Sequence, residues 1–343
     1  DVHRPVDVIE EILRIHGFDQ VPVPERLSVP AVTHPVLTLE SLRQQTGAHL
    51  ATRGFREIMT PSLVSGERVV KSGIAEEGTS VRLANPLSSE LDVLRPTMLF
   101  GALQAMAHNI NRQQRDLRFF ERGRVYGRIG DRTQETETLS LTITGRRWKE
   151  HWRADDRATE LNDVKEEVEA LLGRAGLLAR TTWVPVEHAL LENAAEIHVN
   201  KRPVGIVGQV TEREAKSSDV SQAVFHAELY EEAMLDACRA GRIAYAEVSR
   251  FPAVRRDLSL LLSNEVQFEH LQKVAMNAER KLLREVDLFD VYQGDKLPAG
   301  KKSYALRFLL QDAEKTLTDE QVEKAMGRIR AALEKEVAAE LRG

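Results

Sequence analysis

Asp7, Glu10 and Glu11 stand at i, i+3 and i+4 in the run Val6 to Phe18 (VDVIEEILRIHGF), with Asp1 upstream of them. Helical spacing puts the three later carboxylates on one face. Four hard oxygen donors could hold a magnesium ion whose octahedron water completes. Acids in a first helical turn also complement the helix dipole, and the spacing alone leaves both readings open. Elsewhere the residue types that do chemistry do not assemble. The sequence has no Gly-rich phosphate loop, no H-E-x-x-H and no Gly-x-Ser-x-Gly elbow. Its 10 histidines are scattered, with no pair at ligand spacing. The single cysteine, Cys238, excludes an internal disulfide and a multi-cysteine zinc site, and reads as a small core residue.

The carboxylates ride on a short helix, Val6 to Phe18, ended by Gly17 and with Val8, Ile9, Ile12, Leu13 and Ile15 on its apolar side. Gln20 to Val36 carries Pro22, Pro24, Pro30 and Pro35, and residues 25–36 read as a linker. Beyond it the spacing predicts a helix over Leu37 to Arg53 (Leu39, Leu42, Thr46, Leu50) with Gly54 at its C′ position. A strand Phe55 to Met59 stops at Pro61, and Val81 to Leu83 is extended. Helix Leu99 to Asn111, strands Leu117 to Tyr126 and Leu139 to Gly145, and helix Leu161 to Gly173 come next. A hairpin Glu196 to Gln209 turning at Asn200 to Pro203, and strand Val224 to Tyr230, complete a mixed antiparallel sheet with helices over residues 37–240. Six arginines between Arg112 and Arg128, against Asp116 and Glu121, could meet phosphate or an acidic partner, or form a solvated face with local ion pairs.

Residues 246–343 read as a separate domain. Strand Val254 to Ser263 places Leu258, Leu260 and Leu262 on one side; Asn264 can cap a helix Val266 to Leu283. A hairpin of Val286 to Tyr292 and Ser303 to Leu310 follows. The capping box Thr318-Asp319-Glu320-Gln321 then starts a helix with Val322, Met326, Ile329, Leu333 and Val337 as its stripe, and a last strand runs Val337 to Leu341. The order β-α-β-β-α-β is the ferredoxin-like layout, with both helices on one sheet face and the other face open. The chain as a whole is therefore α+β.

At 343 residues, 42% hydrophobic and 29% charged, two or three globular domains are expected. The absence of a signal peptide or an apolar run of spanning length points to a soluble, cytoplasmic protein with no membrane partner. A start at Asp1, inside an amphipathic pattern, suggests a piece of a longer polypeptide. The net charge is −5, and from Glu247 onward 17 basic residues balance 17 acidic ones, so no global field draws nucleic acid.

The run Arg250-Phe251-Pro252-Ala253-Val254-Arg255-Arg256-Asp257-Leu258-Ser259, with Asp287-Leu288-Phe289-Asp290-Val291-Tyr292-Gln293-Gly294, Lys302-Ser303-Tyr304 and Thr316-Leu317-Thr318-Asp319, closely resembles the anticodon-binding domain ending the β chains of bacterial phenylalanyl-tRNA synthetases. Upstream, Leu117 to Tyr126 resembles a strand of the same family, and Asp7 to Pro22 the end of its magnesium-binding domain, here residues 1–24. The resemblance implies that residues 37–240 form a class II synthetase-like module that has lost its chemistry. Helix Leu37 to Arg53 with Pro61 resembles motif 1, the association element. Where motif 3 would carry glycine and arginine, Glu231-Glu232-Ala233-Met234 stand instead, and their acids would repel a triphosphate.

The resemblance further implies a scaffold for a catalytic α subunit in an (αβ)2 heterotetramer that attaches phenylalanine to tRNA(Phe), with the ATP site in the α subunit. The family's magnesium pattern, Asp-x5-Asp-x2-Glu-Glu, is matched by Asp1, Asp7, Glu10 and Glu11, in a site shared with that subunit. For the anticodon, strand alternation sends Asp290 and Tyr292 to the open sheet face and Phe289 and Val291 away from it. On the next strand Leu306, Phe308 and Leu310 face the helices, leaving Ser303, Ala305 and Arg307 outward, with Tyr292 opposite Ser303. Tyr292 would stack a splayed base, Asp290 and Ser303 would meet its Watson–Crick edge, and Arg307 would reach a phosphate. A plain cross-strand Tyr-Ser pair is the structural alternative. The functional alternative is a non-catalytic assembly protein whose ferredoxin-like domain binds a protein or a regulator.

Overall fold

The computed structural model describes residues 2–26, 28, 37–75, 78–88, 90–148, 150–153, 156–241, 245, 247–294 and 297–341. Asp1 and most of the proline-rich linker lie outside them. Two units, Asp1–Arg242 and Ile243–Gly343, have separate cores.

In the first unit, α1 (Pro5–His16) starts on a proline at its first turn and ends at Gly17, whose φ of 92° suits glycine. Helix α2 (Leu39–Thr52) is capped by Thr38, whose hydroxyl accepts from the Ser41 N–H at 3.1 Å, and Leu42, Thr46 and Leu50 are its buried stripe. The extended stretch after Gly54 pairs only over β1 (Arg56–Glu57), shorter than expected. Strand β2 (Leu63–Val64), helix α3 (Gly66–Ser72) and strand β3 (Val93–Leu94) make a small satellite ladder, which Arg82 joins by a single bridge instead of a strand over Val81 to Leu83. Helix α4 (Leu99–Ile110) follows.

Strands β4 (Leu117–Ile129) and β5 (Arg132–Thr144) form one long hairpin of 13 residues a side. The outer half of β5, Arg132 to Thr138, is polar on both faces, so only its pairing with β4 makes it a strand. Helix α5 (Leu161–Arg174), strand β6 (Thr181–Pro185) and the hairpin β7 (Leu191–Val199) and β8 (Arg202–Val210) come next. Asn200 and Lys201, both at positive φ (51° and 66°), make the two-residue turn whose twist matches the strands. Helix α6 (Glu212–Ser217), strand β9 (Val224–Tyr230) and helix α7 (Glu231–Arg239) complete the unit.

The seven strands run in the order β1-β4-β5-β9-β8-β7-β6, antiparallel except for the parallel β1–β4 pair. Alternation along β5 and β9 sends Leu139, Leu141, Ile143, Phe225, Ala227 and Leu229 to a core shared with α2, α5 and α7. Cys238 packs partly against this core. On the opposite face Leu99, Phe100, Leu103 and Met106 of α4 pack on Leu117, Phe119 and Val224.

In the second unit, β10 (Val254–Ser263) buries Leu258, Leu260 and Leu262 as the alternation requires. Helix α8 (Phe268–Ala278) is shorter than expected and follows Gln267, which makes no side-chain cap. Asn264 does not cap it; its N–H pairs with the Gly300 carbonyl instead. The helix ends early because Leu282 and Leu283 are drawn into the core as β11 (Leu283–Tyr292) begins. Strand β12 (Lys301–Leu310) and helix α9 (Asp319–Val337), capped by Thr318 with Gln321 returning the bond, follow. Val337 belongs to that helix and not to the last strand, and β13 is only Glu340–Leu341. The antiparallel order β11-β12-β10-β13 is that of the ferredoxin-like fold.

Candidate functional site

The second unit leaves one sheet face uncovered. Register sets its members: Asp257 lies opposite Arg307, which lies opposite Asp287; Ser259 and Asp290 flank Ala305; Leu261 and Tyr292 flank Ser303. Asp290, Tyr292, Ser303 and Arg307 therefore share the face to which alternation assigned them, and Tyr292 is opposite Ser303 as expected. Their accessibility differs. Tyr292 is 36% exposed, and its ring turns back over Gly294, where an added Cβ would come within 2.8 Å of the phenol oxygen. Ser303, on a central strand, is only 7% exposed, so it is a recessed and not an outward group.

Phe289 does not face away from this surface. Leu288 pairs with Leu306 and Asp290 with Ala305, so Phe289 is the extra residue of a β-bulge. The bulge delivers its ring, 47% exposed, to the open face, where the guanidinium carbons of Arg307 and Arg255 lie 5.1 and 5.9 Å from the ring centre. Adjacent large apolar residues, Leu288-Phe289, in an otherwise alternating strand are the one sequence sign of this, since both cannot face the core in regular pleat. Arg255 grips Asp257 with two bonds of 2.9 and 2.6 Å, and that bond holds the Asp257 carboxyl below its usual range. Arg307 differs: its Nε stands 3.9 Å from Asp257 Oδ1, is buried, and donates no hydrogen bond to a described residue.

The first unit carries polar chemistry on the sheet face beneath α4, but sealed. Glu121, Thr138, Ser140, Thr142, Thr144, His226 and Glu228 point there and none is more than 6% exposed. Glu228 Oε1 accepts from the Thr97 hydroxyl (2.6 Å) and the Met98 N–H (2.7 Å) and lies 3.2 Å from His226 Nε2; His226 Nδ1 is 2.8 Å from the Thr142 hydroxyl. Burial alone would raise the Glu228 carboxyl, but His226, Thr97 and the Met98 N–H hold it below the usual range. Beside it Arg95 Nη1 donates to Glu121 Oε1 at 2.9 Å. Gly123 makes room for that arginine: a Cβ there would meet Arg95 Nη2 at 2.0 Å.

Glu231 does not face a would-be nucleotide. It is 2% exposed and bound by Arg43 Nε at 2.8 Å and Arg122 Nε at 3.3 Å, tying α7 to α2 and β4. Part of the arginine run resolves in the same way, with Arg118 on Glu167 (3.1 Å), Arg122 on Glu231 and Arg124 on Glu137 (2.6 Å). Arg112 and Arg115 bond neutral groups instead, the His108 carbonyl (2.9 Å) and the Gln113 side chain (3.4 Å).

On α1, the Asp7 carboxylate accepts the N–H groups of His3 (3.1 Å) and Arg4 (2.9 Å) and pairs with Arg4 Nη2 at 2.9 Å; the Arg4 side-chain bond leads the lowering of its pKa. Glu11 pairs with Arg14 at 2.9 Å. Asp1 lies outside the described residues. Among the described residues no three acidic, histidine or cysteine side chains converge as a metal site. The oxygen donors on this helix suit a hard cation in type, but the described residues do not close a cage around one.

The phenylalanyl tRNA synthetase beta chain CLM domain model matches residues 23–230, and the ferredoxin-fold anticodon binding domain model matches residues 249–342. The chain is 36% identical to the phenylalanine-tRNA ligase beta subunit of Bacteroides thetaiotaomicron, 37% to that of Porphyromonas gingivalis and 33% to that of Geobacillus kaustophilus. Each alignment takes in 100% of this chain and 43% of the relative, so the chain spans under half the length of these relatives. With the first model alone matching more than half of its residues, the chain belongs to the phenylalanyl-tRNA synthetase beta-chain family.

Proposed function

We propose that this chain works as part of the β subunit of a cytoplasmic phenylalanine-tRNA ligase, scaffolding a catalytic α subunit in an (αβ)2 assembly and holding the anticodon of tRNA(Phe). The observation that carries this reading is the open face of the ferredoxin-like unit, where Asp290, Tyr292, Ser303 and Arg307 share one side of adjacent strands. Tyr292 stacks a splayed base, Asp290 accepts from a donor-rich edge, Ser303 contacts the same base from the floor of the face, and Arg307 donates to a phosphate. The 37–240 module is non-catalytic, because the sheet face beneath α4 is filled by Arg95, Thr97 and Met98 and its polar groups are already paired with one another. ATP is consumed at the α subunit.

Titration of the chain with tRNA(Phe) and with an anticodon-substituted control tests the reading. Preference for the native anticodon, weakened by about 1–3 kcal/mol in Tyr292→Ala, is expected. Equal affinity for both RNAs overturns it in favour of a protein-binding module. Measurable phenylalanyl-adenylate formation by this chain alone would refute the non-catalytic assignment. Asp1, Asp7, Glu10 and Glu11 supply carboxylates to a magnesium ion whose shell the α subunit completes, where it would neutralise charge at the junction. Unchanged magnesium affinity of the reconstituted enzyme after Glu10→Ala with Glu11→Ala removes that assignment.

A further inference from the structure

We infer that Phe289 and Arg307 form a second base-binding position, taking the nucleotide next to the one held by Tyr292. The inference rests on the RNA-binding reading of this face and adds a contact that strand alternation hides. A bulge spends no ladder hydrogen bond on its extra residue and re-aims that side chain. Here it brings a phenyl ring, 47% exposed, to a face whose other large aliphatic side chains, Leu261 and Leu309, are less exposed than the ring. The ring lies on the same strand as Tyr292, about 10 Å away at strand rise. Sheets that read single-stranded RNA use such pairs of strand aromatics to stack two or three successive bases.

The neighbours of the ring favour a base over an apolar peptide side chain. Two guanidinium groups approach it within 6 Å, so a flat group laid on the ring also meets planar cations, which stack on bases and bond to their carbonyls or to the phosphate. Arg255 is engaged by Asp257. Arg307 is held more loosely, its Nε standing 3.9 Å from Asp257 Oδ1 without a hydrogen bond. The Arg307 side chain is 33% exposed, and a nucleotide can meet the accessible part of its guanidinium. Asp257, Asp287 and Asp290 make the remainder of the face acidic, which disfavours a run of phosphates lying flat on it and favours bases turned inward with the backbone toward Arg307.

The test is a binding titration of the whole chain with a fluorescent tRNA(Phe) anticodon stem-loop and with versions carrying one abasic nucleotide in the loop. Phe289→Ala and Phe289→Leu should each weaken binding by roughly five- to a hundred-fold, the range for one lost base–aromatic stack, while Phe289→Trp retains it. One abasic position, different from the one that silences Tyr292→Ala, should make the Phe289 variants indistinguishable from wild type. Weakening by Tyr292→Ala with none from Phe289→Ala or Phe289→Leu overturns the second position and leaves the anticodon reading standing. Failure of the wild-type chain to prefer the native stem-loop over a scrambled one overturns both. If Phe289→Ala lowers the melting temperature, Phe289→Leu and Phe289→Trp decide: equal affinity of those two shows that bulk and not a π-face is needed, and sinks the proposal.

Discussion

Arg95 and Glu121 are 3% and 1% exposed and bonded at 2.9 Å, so each keeps the other from being a lone buried charge. Deleting one partner should cost more than the pair is worth. Glu121→Ala is expected to destabilise the first unit by about 3–5 kcal/mol, and Arg95→Met with Glu121→Leu together by much less, as read from denaturant midpoints. Asp163 makes a pH-dependent counterpart. Burial pushes its carboxyl up, but Arg157 (2.7 and 2.8 Å), the Glu160 N–H (2.7 Å) and Arg147 outweigh that and leave it below its usual range. A carboxyl depressed in the folded state contributes stability fully above its unfolded value of about 3.9 and loses it as pH falls through the folded value. The stability gap between wild type and Asp163→Asn should therefore be wide at pH 7 and begin to close only as the pH falls below about 4. A gap independent of pH would contradict this assignment.

At the scale of elements, the β7–β8 turn holds Lys201 at φ 66°, a conformation that an L side chain adopts at a penalty. Lys201→Gly should raise the midpoint by the equivalent of about 0.5–1 kcal/mol, whereas Thr318→Ala, which removes the α9 cap, should lower stability by about 1 kcal/mol. Elements whose side chains report their own burial were legible from sequence. Strand β10 alternates end to end, the Thr318 capping box marks its helix, and Asn200-Lys201 announces a turn. Elements defined by a partner were not. The outer half of β5 is polar on both sides and exists because β4 pairs with it; α8 stops where the core claims Leu282 and Leu283. The bulge at Phe289 is hard to read for a related reason: Leu288-Phe289 hints at a break in the alternation, but only the opposite strand records where the extra residue sits. Hence Asp290, Tyr292, Ser303 and Arg307 were placed on the correct face, while Phe289 was assigned to the wrong one and the recessed position of Ser303 went unread.

For the molecule as a whole, the apolar cores divide between two units, Asp1–Arg242 and Ile243–Gly343. Unfolding should not follow a single two-state curve: Glu121→Ala should move one transition and Thr318→Ala the other, followed by circular dichroism. Helix α1 carries a further consequence. None of its residues is buried, and Val6, Val8, Ile9, Ile12 and Ile15, with Phe18 just beyond, stand 49–89% exposed. In colloidal terms this segment is a short surfactant. The mean sedimenting mass should climb with concentration and with ammonium sulfate, which strengthens apolar association. Aspartate at Val8 and Ile12 should abolish that climb without moving either unfolding transition.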